Sequence, residues 1–306
     1  MTDHRNIAVV TGANGFLARN LIPSLVDEGW RVIGVSREKV SSTACQTLTW
    51  EEFWSGAVVE PQKIKVLFHL AAFIPPNMED PAHAAACLNT NALLTLKLAE
   101  HMVAHGRARF VYCSGGLVQG FEKASLTGHA HGLALHRACF YLLSKLVGEV
   151  YVERTRKLKG LDAITFRVGS CYGPWMPERS MVSRFAAFAE QGKPLPLRNG
   201  GAEQFDLVYA PDVVQCLIRG AKSGKQGIFN AGSGQAVTVR KVAEAVNRVF
   251  GNQAGVVYEE PSTPSLQPGF APLPMRRTTM AFGCKPRKLA RGLEDFRSWL
   301  ETRRAA

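Results

Sequence analysis

One junction near the start of the chain limits what it can fold into. An apolar run, Ile7 to Val10, leads directly into Thr11-Gly12-Ala13-Asn14-Gly15-Phe16-Leu17-Ala18. Arg19 to Glu28 follows, with Leu21, Ile22, Leu25 and Val26 at helical spacing. This reads as buried strand, glycine turn and helix. Gly12 lets the chain turn sharply out of the strand, and Gly15 places no side chain between the helix N-terminus and a phosphate. Ala18 is small enough for the helix to lie close on the strand. The free N–H groups and positive dipole end of such a helix suit a pyrophosphate. Gly12, Asn14, Gly15, Phe16 and Leu17 are therefore candidate dinucleotide-binding residues.

The second strand, Arg31 to Val35, ends at Ser36-Arg37. An acidic residue there would accept hydrogen bonds from ribose hydroxyls, whereas a serine and a guanidinium suit a 2′-phosphate. Ser36 and Arg37 thus favour NADP(H) over NAD(H). Ser41 to Gln62 is irregular and holds a short strand and a helix. Ile64 to Leu70 is another buried strand, closed by His69-Leu70-Ala71-Ala72. The small residues Ala71 and Ala72, with Leu70, let the backbone approach a cofactor; His69 reads as a hydrogen-bonded core histidine. Ala82 to His105 reads as one long helix carrying Asn89, a cofactor candidate, and Asn91. Arg109 to Cys113 is a strand, with Ser114-Gly115-Gly116 at its C-terminal edge, where doubly wound sheets bind ligands. The loop from Gly120 to Leu135 and the adjoining His136 bring three histidines, His129, His131 and His136, without a supporting acidic ligand, so no metal site is expected.

Cys139 to Arg156 is a strong helix on which Tyr141 and Lys145, four residues apart, share a face. Hydride transfer at a carbinol carbon needs a proton moved on the attached oxygen. A tyrosine can move it if its pKa falls from ~10 towards neutrality, about 4 kcal/mol of preferential phenolate stabilisation. A lysine one helical turn away supplies part of that field and reaches the nicotinamide ribose. Strands follow at Ile164 to Val168, Asp206 to Tyr209 and Gly227 to Ala231. Helices follow at Met181 to Gln191, Ala210 to Ala221, Thr238 to Phe250 and Leu289 to Arg303, with a break at Tyr172-Gly173-Pro174.

Alternating strands and helices predict an α/β, Rossmann-like doubly wound parallel sheet with a smaller C-terminal α/β substrate-binding region. The expected division is a dinucleotide-binding domain over 1–170, to which 206–235 returns, and a substrate-binding region over 171–205 and 236–306. No stretch approaches the ~20 apolar residues of a membrane span, and no apolar leader follows Met1 to Arg5, which predicts a cytoplasmic protein. Seven scattered cysteines without a C-x-x-C pair argue against zinc or a disulfide framework, and Cys113 and Cys171 read as core. The net charge of +12 would steer anionic ligands, or reflects only a solvated basic surface. No nucleic-acid reader motif accompanies it. Much of the excess falls between Arg276 and Arg304, on a helix expected to be amphipathic and exposed.

The glycine motif, His69-Leu70-Ala71-Ala72 and Tyr141-x-x-x-Lys145 together resemble an extended short-chain dehydrogenase/reductase. More narrowly, the chain is similar to the NAD(P)-dependent epimerase/dehydratase family, of the sugar-nucleotide-modifying type. Arg167 to Tyr172-Gly173-Pro174, Asp206 to Asp212, Phe229 to Gly234 and Phe282 to Pro286 resemble later family stretches. The resemblance implies an NADP(H)-dependent reductase or epimerase for a sugar nucleotide or deoxysugar, with Tyr141, Lys145 and Ser114 catalytic. It also implies a homodimer built on the helices Ala82–His105 and Cys139–Arg156. It places Gly115 where the family carries its catalytic Ser or Thr, with Ser114 one residue early. Phe205 stands where the family has an arginine for nucleotide phosphates, and Ser170 where it often has an asparagine. Gly115, Gly116, Ser170, Arg198 and Arg276 are the substrate candidates. The departures keep two alternatives open: a reductase of a non-nucleotide ketone or aldehyde, and a cofactor-binding member with weakened catalysis.

Overall fold

The computed structural model describes residues 6–39, 44–56, 59–78, 80–106, 108–119, 139–259 and 272–305. His129, His131 and His136 lie outside the described residues. In chain order the strands are β1 (Ile7–Thr11), β2 (Arg31–Ser36), β3 (Gln46–Thr49), β4 (Ile64–His69), β5 (Arg109–Gly115), β6 (Ala163–Val168), β7 (Ser170–Tyr172), β8 (Leu195–Leu197), β9 (Gln204–Tyr209), β10 (Gly227–Ala231), β11 (Ala236–Thr238) and β12 (Val256–Tyr258). The α-helices are α1 (Phe16–Asp27), α2 (Trp50–Ser55), α3 (Ala84–Cys87), α4 (Leu94–His105), α5 (Phe140–Lys159), α6 (Met181–Glu190), α7 (Ala210–Lys222), α8 (Val239–Phe250), α9 (Arg276–Phe282) and α10 (Leu289–Ala305).

The central sheet has seven strands in the order β10-β6-β5-β4-β1-β2-β3. Neighbours from β3 through β2, β1 and β4 to β5 run parallel. The order reverses between β1 and β4, the doubly wound arrangement expected from the alternating pattern. Every residue of β1 is buried, as befits a parallel strand covered on both faces. By contact density the chain forms two units, Met1–Arg167 with Val214–Phe229, and Val168–Val213 with Asn230–Ala306.

In the first unit, Val9, Ile33, Leu67, Phe110 and Tyr112 from the strands pack with Leu98, Met102 and Val152 from α4 and α5. Two buried arginines need partners there. Arg167 donates to Glu149 at 2.6 and 3.0 Å, with both side chains at most 5% exposed. Arg109, at the start of β5, is bound by Asp162 and by the carbonyl oxygens of Gly220 and Lys225. Removing one partner of such a pair leaves an uncompensated buried charge.

The second unit has a three-stranded sheet, β11-β9-β7, and a parallel pair, β12-β8. Helix α8 buries Val239, Val242, Ala243 and Val246, one stripe at helical spacing. Thr238 caps it by accepting from the Lys241 N–H, and Gly251 ends it with φ 71°. Asp206 on β9 is fully buried and accepts from the Ser233 hydroxyl, the Gly234 N–H and the Leu273 N–H. This explains on structural grounds an acidic residue inside a strand.

Several expectations need correcting. The stretch Ala82 to His105 is not one helix: a 3₁₀ turn (Pro81–His83) and α3 lead into a π turn (Leu88–Leu93) before α4 begins. The wider turn accommodates one extra residue and lets the chain bury Asn91, which helical periodicity alone does not signal. Cys171 is half-buried on β7 rather than a core residue. The C-terminal helix, expected exposed, buries Leu293 and Phe296 in the second unit's core and keeps Arg291 and Arg297 outside, paired with Asp295 and Glu301. Strands β7, β11 and β12 and helix α9, absent from the sequence reading, are each seven residues or shorter, too short for a periodic signal.

Candidate functional site

The β1–α1 junction takes the shape its glycines require. Gly12 has φ +70°, donates to the Val35 carbonyl at 2.8 Å, and faces the chain leaving β4. A Cβ on it would lie 2.8 Å from the Ala71 Cα and 2.9 Å from the Ala71 nitrogen. Gly15 precedes α1 and donates to the Gly12 carbonyl at 2.8 Å. Ala18, on the first turn of α1, is fully buried. The first turn of α1 carries no acidic side chain, so its N–H groups and dipole are available to an anion.

Beside this junction lies a cavity of about 350 Å³ within the first unit. Gly12, Asn14 and Gly15 line it from the turn, Ser36, Arg37 and Glu38 from the end of β2, and Leu70 to Phe73 from the exit of β4. Trp50, Thr90 and Leu94 complete the wall. Of the expected residues, Phe16 and Leu17 are half-buried and off this wall, and Asn89 is exposed and replaced on it by Thr90. Sequence reasoning missed Trp50, Glu38, Phe73, Thr90 and Leu94. Trp50 opens α2 in the stretch read as irregular, and its one signal was an aromatic residue just after a predicted short strand. The Ser36 hydroxyl donates to the Glu38 carbonyl at 2.6 Å, fixing the turn that presents Arg37.

A second group of side chains gathers at the end of β5, also within the first unit. Lys145 on α5 is 3% exposed, and its Nζ donates to the Cys113 carbonyl at 2.6 Å and sits 4.6 Å over the Tyr112 ring. Burial pushes its pKa down to about 8, against smaller opposing effects of Cys113 and Glu149. Tyr141, one turn earlier, is half-buried, and its carbonyl accepts from the Ser144 hydroxyl at 2.7 Å. Ser114 is 4% exposed, and its buried hydroxyl has no hydrogen-bond partner among the described residues. Gly115 does not need to be glycine for the fold: its φ is outside the left-handed region and a Cβ there would meet no atom within 4 Å.

A family model described as the NAD dependent epimerase/dehydratase family matches residues 8–232. The chain belongs to this family. As a member it is an enzyme of the extended short-chain dehydrogenase/reductase class, within which epimerases, dehydratases and reductases occur. UDP-glucose 4-epimerase of Mycolicibacterium smegmatis is 29% identical to it over 79% of this chain and 82% of the relative. The dTDP-4-dehydro-6-deoxyglucose reductase of Escherichia coli is 23% identical over 85% of this chain and 87% of the relative. A structure of UDP-glucuronic acid 4-epimerase from Bacillus cereus, in complex with UDP-4-deoxy-4-fluoro-glucuronic acid and NAD, superposes with a TM-score of 0.81. It is 18% identical, covering 97% of this chain and 99% of that one, a likeness of fold.

The remaining substrate candidates are divided between the two units. Gly115 and Gly116 lie at the end of β5, whereas Ser170, Arg198 and Arg276 belong to the second unit. Ser170 is half-buried on β7, and Arg276 is exposed at the start of α9. Arg198 is exposed and paired with Glu259 at 2.9 Å. Phe205, where the resemblance expects an arginine, packs against the second unit's core.

A buried hydroxyl without a partner costs stability that a ligand can return. Ser114→Ala is therefore expected to raise the unfolding free energy of the ligand-free protein by about 1 kcal/mol, read by urea titration. A lower midpoint would mean that the hydroxyl already has a partner.

Proposed function

We propose that this enzyme is an NADP(H)-dependent oxidoreductase or epimerase acting on a sugar nucleotide or related deoxysugar, by 4-keto reduction or epimerisation. The observation that carries the reading is the buried Lys145 ammonium, tied to the Cys113 carbonyl one helical turn from Tyr141. Gly12, Asn14 and Gly15 with the α1 N-terminus would hold the pyrophosphate, joined by the backbone of Phe16 and Leu17. Leu70, Ala71 and Ala72 would flank the dinucleotide, and Ser36 and Arg37 would take a 2′-phosphate. When bound, the nicotinamide accepts or returns a hydride.

The chain's own part is proton transfer and charge placement. Tyr141 moves the proton on the substrate oxygen. Lys145 stabilises the phenolate through its charge and binds the nicotinamide ribose. Ser114 is the hydroxyl nearest in sequence to Gly115 and serves as donor to the substrate oxygen. Gly115 and Gly116 contribute backbone N–H groups, and Ser170 and Arg276 are the second unit's substrate candidates. A second reading, reduction of a non-nucleotide ketone or aldehyde, is favoured by Phe205, which offers apolar packing in place of a charge. Exposed Leu88, Leu93 and Val150 on the π turn and α5 support a homodimer through that face, which a sizing column tests against the monomer mass.

Tyr141→Phe should lower turnover by about 10²–10⁴-fold while leaving dinucleotide affinity unchanged; intact turnover overturns the mechanism. The Lys145 charge is complete below its pKa of about 8, so wild-type turnover should decline as pH rises through that value. In a thermal-shift panel NADPH should stabilise more than NADH, and Arg37→Ala should remove that preference, since a charged hydrogen bond contributes ~1.5–3 kcal/mol. Stabilisation by UDP, GDP or dTDP supports the sugar-nucleotide reading, and indifference to all three the second one.

A further inference from the structure

Between β1 and β4, where the strand order reverses, Thr11 and His69 are register partners at the ends of their strands. His69 is fully buried. Its Nδ1 lies 2.8 Å from the Thr11 hydroxyl and its Nε2 lies 2.9 Å from the Thr95 hydroxyl. Heavy-atom distances alone leave the tautomer open, and the bond from Thr95 to Asn91 favours one of the two. The Thr95 hydroxyl donates its one proton to the Asn91 carbonyl at 2.8 Å. It can therefore only accept from the ring, so Nε2 carries hydrogen. Nδ1 is then the acceptor, and Thr11 must donate to it. The Thr11 oxygen accepts in turn from the Ala71 N–H at 3.2 Å. The protons run one way, from the Ala71 amide to the Asn91 carbonyl, and no donor is used twice.

The Asn91 side chain continues the line. Its Oδ1 accepts from the Phe73 N–H at 2.8 Å, and its Nδ2 donates to the Phe73 carbonyl at 3.0 Å and to the Ser144 hydroxyl at 3.0 Å. Ser144 donates to the Tyr141 carbonyl at 2.7 Å. The wall segment Ala71 to Phe73 is thus fastened at both ends, and one line of hydrogen bonds joins it to the helix carrying Tyr141 and Lys145. We propose that His69 is a positioning residue: its Nε2–H tautomer holds the Leu70–Phe73 wall against Gly12 and sets the distance from that wall to α5. This rests on the reading of the cavity as the dinucleotide site.

The surroundings keep the ring in that state. Burial, and secondarily the Lys145 charge, hold the His69 pKa down at about 3. Tyr112 stacks on the ring at 5.6 Å with its phenol interacting with Thr95, and Phe110 lies tilted against it at 6.0 Å. A second proton would make both nitrogens donors. Thr11 could then no longer donate to the ring, and its own proton would need another acceptor.

The test uses the full-length protein labelled with ¹⁵N-histidine. Expected is one ring with a protonated Nε2 and an unprotonated Nδ1 that does not titrate down to about pH 5, a signal absent from His69→Phe. The opposite tautomer, or titration near the ordinary histidine value, overturns the proposal. Thr95→Val, which removes the acceptor and keeps the shape, should disturb that Nε2 signal and weaken NADPH binding about tenfold. It should lower the melting temperature by only a few degrees, since one buried ring N–H loses its acceptor while the fold persists. An unchanged NADPH affinity in a folded Thr95→Val protein also overturns it. If the wild type binds neither NADPH nor NADH, the dinucleotide reading fails separately, and the tautomer measurement still stands or falls on its own.

Discussion

The architecture depends on how closely two backbones meet. The space where residue 12 would carry a side chain is occupied by the backbone of Ala71. Any larger residue would push apart the first and fourth strands at the point where their order reverses, which in open α/β sheets is where ligands bind. The cavity, the uncapped first turn of α1 and the exit of β4 all follow from that approach. The pairing is sequence-distant, so it is secured by side chains too, through the buried hydroxyls of Thr11 and Thr95 on either side of His69.

Burial of charge gives the other half of the first unit its character. Lys145 is kept out of water against the Cys113 carbonyl and the face of Tyr112. An ammonium in that setting is held less firmly to its proton, which suits a group working near neutral pH. The Arg167–Glu149 pair a short way along α5 is of a different kind, since each charge neutralises the other. One buried cation is the one proposed to act with Tyr141, and the other fastens β6 to α5.

Much of this was legible in the residues. The strand–glycine–helix junction, the small residues after His69 and the Tyr141/Lys145 spacing rest on short-range rules of backbone freedom and helical periodicity, and the parallel, doubly wound class of the sheet followed from the alternation of strands and helices. What could not be read depends on tertiary placement. Asn91 looked like one more polar residue in a helix, and only the π turn brings it inward. Trp50 reached the cavity wall because β3 and α2 fold back there, in a stretch with no periodic signal. Asn89 and Thr90 differ by one position, and a single inserted residue decides which of them faces the cavity. Asp206 showed a motif in the sequence, but its four N–H and O–H partners come from residues far along the chain.

Arg109 has a consequence for how the chain is made. Its guanidinium is neutralised by Asp162 and completed by carbonyl oxygens of Gly220 and Lys225, more than a hundred positions downstream. The first compact unit is therefore discontinuous in sequence and closes only when the segment ending at Phe229 has returned to it. During synthesis the early strands must wait, with a buried cation half-solvated, while the whole of the intervening insertion emerges from the ribosome. Fragments cut after β6 would share that predicament permanently, which makes the arginine a checkpoint that only a polypeptide extending past Lys225 can satisfy.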